Sequence, residues 1–199
     1  MSFDKRATIW ESGANGNRRI QTATTIAKAI QKRHLLSQEM EIIDFGVGTG
    51  LLGFEIAKKV KKVYGIDTST KMLEQIEKKN SSALSIEPIH KDLTKESCEL
   101  VVDGVVSSMT LHHIEDVHHL FKQFYKQLKP GGFIAFADLL KEDGTFHSDN
   151  TGVHHFGFEK EFLFDILKDI GYKDLDFQII YTIQKPHKDF ELFLLSATK

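Results

Sequence analysis

Cysteine, proline and tryptophan are scarce in this chain of 199 residues, which holds one cysteine (Cys98), three prolines and one tryptophan (Trp10). A single thiol excludes an intrachain disulfide and fits a reducing compartment. Long apolar runs are missing as well. The stretch from Leu192 to Ala197 is far too short to span a bilayer, and Met1-Ser2-Phe3-Asp4-Lys5-Arg6 leads into no apolar segment of a secretory leader. Nor is there an excess of one charge: the net charge is −2, and the 26 basic residues are spread along the chain, so there is no electrostatic footprint for nucleic acid. These absences lead us to expect a cytoplasmic protein with neither a membrane nor a nucleic-acid partner.

The hydrophobic fraction of 41% and the charged fraction of 27% are those of an ordinary globular protein, and the length suits one α/β domain. Short β-branched apolar runs alternate with amphipathic stretches, the pattern of a parallel sheet covered by helices. Strands are expected at Met40 to Phe45, Lys62 to Ile66, Ser85 to His90, Asp103 to Ser108 and Gly132 to Leu139. Helices are expected at Leu51 to Lys59, Ser69 to Lys79 and Asp116 to Leu128. Lys129-Pro130-Gly131-Gly132 ends the last of these helices and turns the chain into the next strand. Ahead of this unit, Arg18 to His34 carries Ile20, Ala23, Ile26, Ala27 and Ile30 on one helical stripe. The irregular segment Lys141 to Phe158 is long for an idle loop in a compact domain and so is expected to serve function. After it come a helix at Lys160 to Ile170 and two strands, Leu175 to Gln184 and Phe190 to Ala197, closing the chain as an antiparallel hairpin. We expect one domain, with residues 1–39 capping a core at 40–199.

The densest motif is Ile42-Ile43-Asp44-Phe45-Gly46-Val47-Gly48-Thr49-Gly50. Glycines between a buried strand and a helix let the backbone turn tightly and let a ligand approach the main chain, while the first N–H groups of the helix favour anions. Gly48, Gly50 and Gly53 also satisfy the dinucleotide fingerprint G-x-G-x-x-G, and Asp67, closing the second strand, suits a ribose hydroxyl under either reading. Asp44 tilts the choice, because a carboxylate there would repel a pyrophosphate but attract a cationic ligand.

From about Met40 onward the chain resembles the class I S-adenosylmethionine-dependent methyltransferases. The resemblance rests on Asp44-x-Gly46-x-Gly48-x-Gly50, on Val63-Tyr64-Gly65-Ile66-Asp67, on Lys91-Asp92-Leu93, on the segment Asp103 to Ile114 and on Leu128-Lys129-Pro130-Gly131-Gly132. It implies a Rossmann-like, doubly wound, seven-stranded and mostly parallel sheet with an antiparallel last strand and an N-terminal lid helix. It also implies S-adenosylmethionine as cofactor and a small-molecule methyl acceptor. Carried over by position, Asp67 would accept both ribose hydroxyls, Asp92 the adenine amino group with Leu93 beside it, and Met72 would pack on the adenine face. The loop Gly46 to Gly50 would hold the methionine portion with Asp44 near its ammonium, and Thr68, Ser108 and Met109 would complete the pocket.

On the acceptor side, methyl transfer from a sulfonium needs positioning more than side-chain chemistry. A histidine base can help where the acceptor must lose a proton. His112 and His113 follow strand four at the ligand-binding end of the sheet, and His155, with His147, lies in the long loop, so His113, His112 and His155 are the candidate catalytic residues. No metal is expected, because no fixed ligand spacing stands on a regular element. Trp10 is a candidate cover for the pocket. Two other readings stay open on sequence: a nicotinamide-dependent oxidoreductase, and a homologue that keeps the cofactor but methylates nothing.

Overall fold

In a computed structural model, which describes residues 3–199, seven strands form one sheet in the order β3-β2-β1-β4-β5-β7-β6. They are β1 (Glu41–Phe45), β2 (Lys62–Asp67), β3 (Glu87–His90), β4 (Val102–Ser108), β5 (Leu128–Leu139), β6 (Lys173–Gln184) and β7 (Asp189–Thr198). The first five run parallel. β7 inserts between β5 and β6 and is antiparallel to both, so the closing hairpin completes a seven-stranded, mostly parallel, doubly wound sheet as expected. Among the described residues, no helix is long and apolar enough to cross a membrane.

The helices are α1 (Gly13–Arg33), α2 (Leu51–Ala57), α3 (Thr70–Lys79), α4 (Val117–Gln127) and α5 (Lys160–Ile170). Their ends follow local chemistry. Ser69 caps α3 by accepting from the Met72 amide, Asp116 caps α4 by accepting from His119, and Gly171, in left-handed backbone at φ 108°, stops α5. Each central strand sends alternate side chains to opposite faces. Val105, Ile134 and Phe136 join one core with Phe121, Phe124 and Phe193, whereas Val106, Phe133 and Ala135 join the other with Ile26, Ile30 and Ile56.

Most boundaries fall within two residues of expectation, and two depart further. The first helix begins at Gly13, not Arg18: the Gly16 amide donates to the Ser12 carbonyl to open it, and position 16 has room only for glycine, since a Cβ there would stand 2.0 Å from the Glu11 carbonyl carbon. β5 begins at Leu128, but its pairing with β4 jumps from Val102↔Leu128 to Gly104↔Phe133. The expected turn at 129–132 is therefore a bulge within the strand, with Gly131 at φ 76°. Ahead of α1, the 3-10 turn Phe3–Ile9 lies along α3: Asp4 accepts from the Ser69 hydroxyl at 2.5 Å, and Glu11 accepts from the Thr49 hydroxyl at 2.5 Å and from Lys79.

Candidate active site

A cavity of about 1060 Å³ opens at the C-terminal ends of β1, β2 and β4, the end at which open α/β sheets bind ligands. The N-terminal turn and the start of α1 wall one side through Phe3, Arg6, Trp10, Arg18 and Arg19, and the loop 141–158 walls another through Phe146 and His147. Asp44, Gly46, Gly48, Asp67, Thr68, Met72, Asp92, Leu93, Ser108 and Met109 all line it, as do His112 and His113.

At the β1 end the turn is built from left-handed glycines. Gly46, at φ 67°, has no room for a Cβ, which would fall 2.3 Å from the Thr110 side chain. Gly48, at φ 54°, has nothing within 4 Å of that position, so its backbone faces open cavity. Gly50, at φ 86°, does not line the cavity; it starts α2 and packs against Phe54. Asp67 ties the turn to the end of β2, its two carboxylate oxygens accepting from the Gly48 and Ser69 amides at 2.8 Å each. Burial raises the Asp67 carboxyl above its ordinary value, against the pull of these amides.

Asp44 stands out. It is 1% exposed, and its Oδ2 has no hydrogen-bond partner. Burial, reinforced by the nearby Asp67 charge, pushes its carboxyl well above the usual range. A buried carboxylate oxygen left unmatched at a cavity wall is a receptor for a cation or a donor. Asp92, at the end of β3, is turned in part to its own loop, accepting from the Thr94 amide and hydroxyl and pairing with Lys95 at 2.9 Å. Burial works to raise this carboxyl, but those contacts outweigh it and hold it below its ordinary value. Met72 and Leu93 are buried at 1% exposure, and Met109 holds a left-handed φ of 57°, a strained backbone for a side-chain-bearing residue at the edge of the site.

The other end is built of histidine. His112 and His113 lie in a single 3-10 turn, Leu111–His113, just after β4. Asp138, fully buried in β5, accepts from the His112 amide at 3.2 Å and stands 2.7 Å from His112 Nδ1, clamping backbone and ring together. Burial works to raise the Asp138 carboxyl, but the His112 ring and the Leu139 and His112 amides hold it below its ordinary value. The His112 carbonyl accepts from the amides of His154 and His155, stitching the long loop onto this turn. His147 then enters with its Nε2 3.1 Å from His112 Nε2. His113 Nδ1 meets the Gly152 carbonyl at 2.7 Å. Burial, then the neighbouring histidines, pull His113 and His147 down to about 4.

His155, expected beside the acceptor, is outside the cavity wall. Its ring packs on Phe158 and Phe162, with Nε2 3.4 Å from the Glu115 carbonyl. Of the loop histidines, His147 and His154 line the cavity, and His147 is the one whose ring meets His112. Asp138 was not among the expected residues; a lone carboxylate inside the apolar run Phe133-Ile134-Ala135-Phe136-Ala137-Asp138-Leu139 is the signal that marks it, since a charge at such a position needs a partner. Arg6, Arg18 and Arg19 gather on the same wall with Lys185. Burial, then the Arg6 and Arg18 charges, lower the Arg19 guanidinium below its ordinary value, while its plane stacks 3.9 Å from the Trp10 ring centre.

Residues 42–132 match the model of a methyltransferase domain. An uncharacterized methyltransferase of Schizosaccharomyces pombe is 32% identical over 148 residues, covering 65% of this chain and 52% of the relative. The malonyl-[acyl-carrier protein] O-methyltransferase of Priestia megaterium is 31% identical over 124 residues, 61% of this chain and 44% of that protein. The chain thus spans about half or less of these relatives' lengths. Phosphoethanolamine N-methyltransferase 2 of Haemonchus contortus, solved with S-adenosyl-L-methionine, shares the fold across 100% of this chain and 60% of its own, with a TM-score of 0.69 at 18% identity. The glycine turn, the buried Asp44 and the acids at the ends of β2 and β3 all lie within the segment that matches the methyltransferase-domain model, and in sequence and fold the chain is similar to S-adenosylmethionine-dependent methyltransferases.

Proposed function

We propose that this chain transfers the methyl group of S-adenosylmethionine to a small-molecule acceptor that carries an anionic group. The observation that supports this most is the cavity itself, which joins the Asp44 and Asp67 end to an end lined by histidines and arginines. The unpartnered Asp44 oxygen and the open space at Gly48 fit the cofactor's ammonium and the chain that bears it. Asp67 would take the ribose hydroxyls, and Asp92 with Leu93 and Met72 the adenine. The cofactor, when bound, supplies a methyl carbon already activated by its sulfonium.

The chain's own task is then to hold the acceptor in line and keep water out, an effect worth about 7–11 kcal/mol when the geometry is good. Asp138 accepts from His112 Nδ1, which leaves Nε2 unprotonated toward the cavity, where it can accept a hydrogen bond from the acceptor. His113 and His147, uncharged near neutral pH, accept hydrogen bonds but add no charge. The arginines select the acceptor. Among the described residues, no carboxylate pairs with Arg6, Arg18 or Arg19, and three adjoining cations await an anion. Residues 1–39 serve as the cap of a single domain whose core is 40–199.

A screen of small molecules with labelled cofactor tests this reading: carboxylates and phosphates should dominate the accepted compounds. For the best of them, Arg18→Ala should raise KM by about 10–100-fold, the loss of one charge-assisted contact, with kcat little changed. A preferred acceptor without negative charge, or a KM indifferent to Arg18, would overturn the acceptor class.

A further inference from the structure

We propose that His112, His113 and His147 bind one divalent cation of the zinc type, with a coordination position left open to the cavity. One ring nitrogen from each of the three lies within 4.8 Å of the others. The Nε2 atoms of His112 and His147 are 3.1 Å apart. A tetrahedral zinc ion with bonds of about 2.0–2.1 Å holds neighbouring ligand nitrogens roughly 3.4 Å apart, so the pair needs almost no movement to share an ion.

The hydrogen bonds behind the rings fix which nitrogens are available. Asp138 Oδ1 accepts from His112 Nδ1, which turns an unprotonated Nε2 toward His147. The Gly152 carbonyl can only accept, so His113 Nδ1 must donate to it, and His113 Nε2 is left with a lone pair. Without an ion, His147 could satisfy His112 by donating one proton, but that proton would do nothing for His113. A cation satisfies all three.

The support around the rings is also that of a metal site. A ligating histidine commonly donates its other nitrogen to a carboxylate or a carbonyl, which sets its tautomer and orientation; Asp138 does this for His112 and Gly152 for His113. Asp138 is 0% exposed and also holds the His112 amide, so the ring is oriented before any ion arrives. Three imidazoles suit zinc and its transition-metal neighbours rather than magnesium or calcium. Among the described residues, no carboxylate or thiol joins the cluster, and three protein ligands with a free position is the arrangement of reactive rather than structural zinc. The free position would receive the acceptor's anionic group; that last step rests on the acceptor reading above, whereas ion binding does not.

The test uses the tag-free full chain, stripped with a chelator and dialysed against Zn²⁺ or, for its visible absorption, Co²⁺. Metal content is measured alongside calorimetric binding of S-adenosylhomocysteine, the demethylated cofactor. The expected result is one ion per chain, lost in His113→Ala and in His147→Ala and kept in His118→Ala. Asp138→Asn should weaken the ion by about 10–100-fold. If Asp138→Asn does not fold, the loop variant His147→Ala still decides the matter. A chain that binds S-adenosylhomocysteine but takes up no zinc overturns the site, as does an unchanged zinc content in His147→Ala. A chain that takes up zinc but not S-adenosylhomocysteine supports the site and overturns the cofactor reading.

Discussion

Gly46 and Gly48 share left-handed backbone and a motif, yet replacing them should have different consequences. An alanine at either position carries a backbone cost of about 1–2 kcal/mol. Only Gly46→Ala also drives a methyl into Thr110, at 2.3 Å, adding overpacking of about 1–3 kcal/mol. Gly48→Ala meets no protein atom within 4 Å, so its methyl projects into the open cavity, where the proposed reading seats the cofactor. Gly46→Ala should therefore show mainly as a lowered Tm. Gly48→Ala should lower Tm by roughly 2–8 °C, given about 2–4 °C per kcal/mol for a chain of this size, while losing most of its affinity for S-adenosylhomocysteine. Wild-type affinity in Gly48→Ala would place the ligand elsewhere. Asp44 gives a second separation of stability from binding. Its folded-state carboxyl is raised, so below the ordinary carboxylate range it costs nothing, and as pH climbs through the raised value the ligand-free fold loses stability. Asp44→Asn should hold or raise the Tm of the ligand-free chain at neutral pH. The same change should weaken cofactor binding by about 10–100-fold, the worth of one charge-assisted bond to an ammonium. A lowered Tm with intact affinity would contradict both halves of the argument.

Helix α1 ends in a contact whose pH dependence can be read directly. His34 stacks on Phe133 at 3.9 Å between ring centres and bonds through Nε2 to the Ser196 hydroxyl at 2.7 Å, joining the helix end to β5 and β7. Burial, and then Arg33, pull it from 6.5 to about 4. The native chain therefore binds fewer protons at this site than the unfolded chain between those two values, and the stability it confers above 6.5 is lost as pH falls toward 4. His34→Gln, which can keep the bond to Ser196, should show a smaller fall in Tm from pH 7 to pH 5 than the wild type. An identical fall would assign the acid sensitivity elsewhere. The same helix shows where the sequence was readable. The strands β1, β2, β4 and β7 were legible because each centres on a short, buried, largely apolar run, and α3 and α4 because their caps are local. The start of α1 was not, since Gly13-Ala14-Asn15-Gly16-Asn17 has the composition of a turn, and the close approach to Glu11 that requires a glycine at 16 appears only in the fold. The residues expected to meet the cofactor lie in order along one stretch, so a linear motif could bring them forward as cavity residues. The histidine site could not be read that way: His112, Asp138 and His147 come from a turn, a strand and a loop, brought together by the pairing of β4 with β5 and by the bonds from His154 and His155 that fasten the loop to the His112 carbonyl.

On the scale of the whole molecule, the cofactor end of the cavity is held by elements from distant parts of the chain. Asp4 and Glu11 tie the N-terminal segment to the starts of α2 and α3 and to the end of α3, and Asp67 ties β2 to the glycine turn. A ligand seated among these elements binds only the folded chain, so it must stabilise the fold by mass action. At about one hundred times its dissociation constant this amounts to roughly 2.7 kcal/mol. For a chain of this length the corresponding rise in Tm is about 5–11 °C, and S-adenosylhomocysteine should produce it in a thermal melt while NAD produces none. Asp67→Ala removes the carboxylate that holds the turn and that the proposed reading sets against the ribose, so its Tm should respond far less to the same concentration of S-adenosylhomocysteine. A full shift in Asp67→Ala would mean that the ligand does not depend on the end of β2, and an equal shift with NAD would mean that the unpartnered Asp44 does not select a cationic ligand.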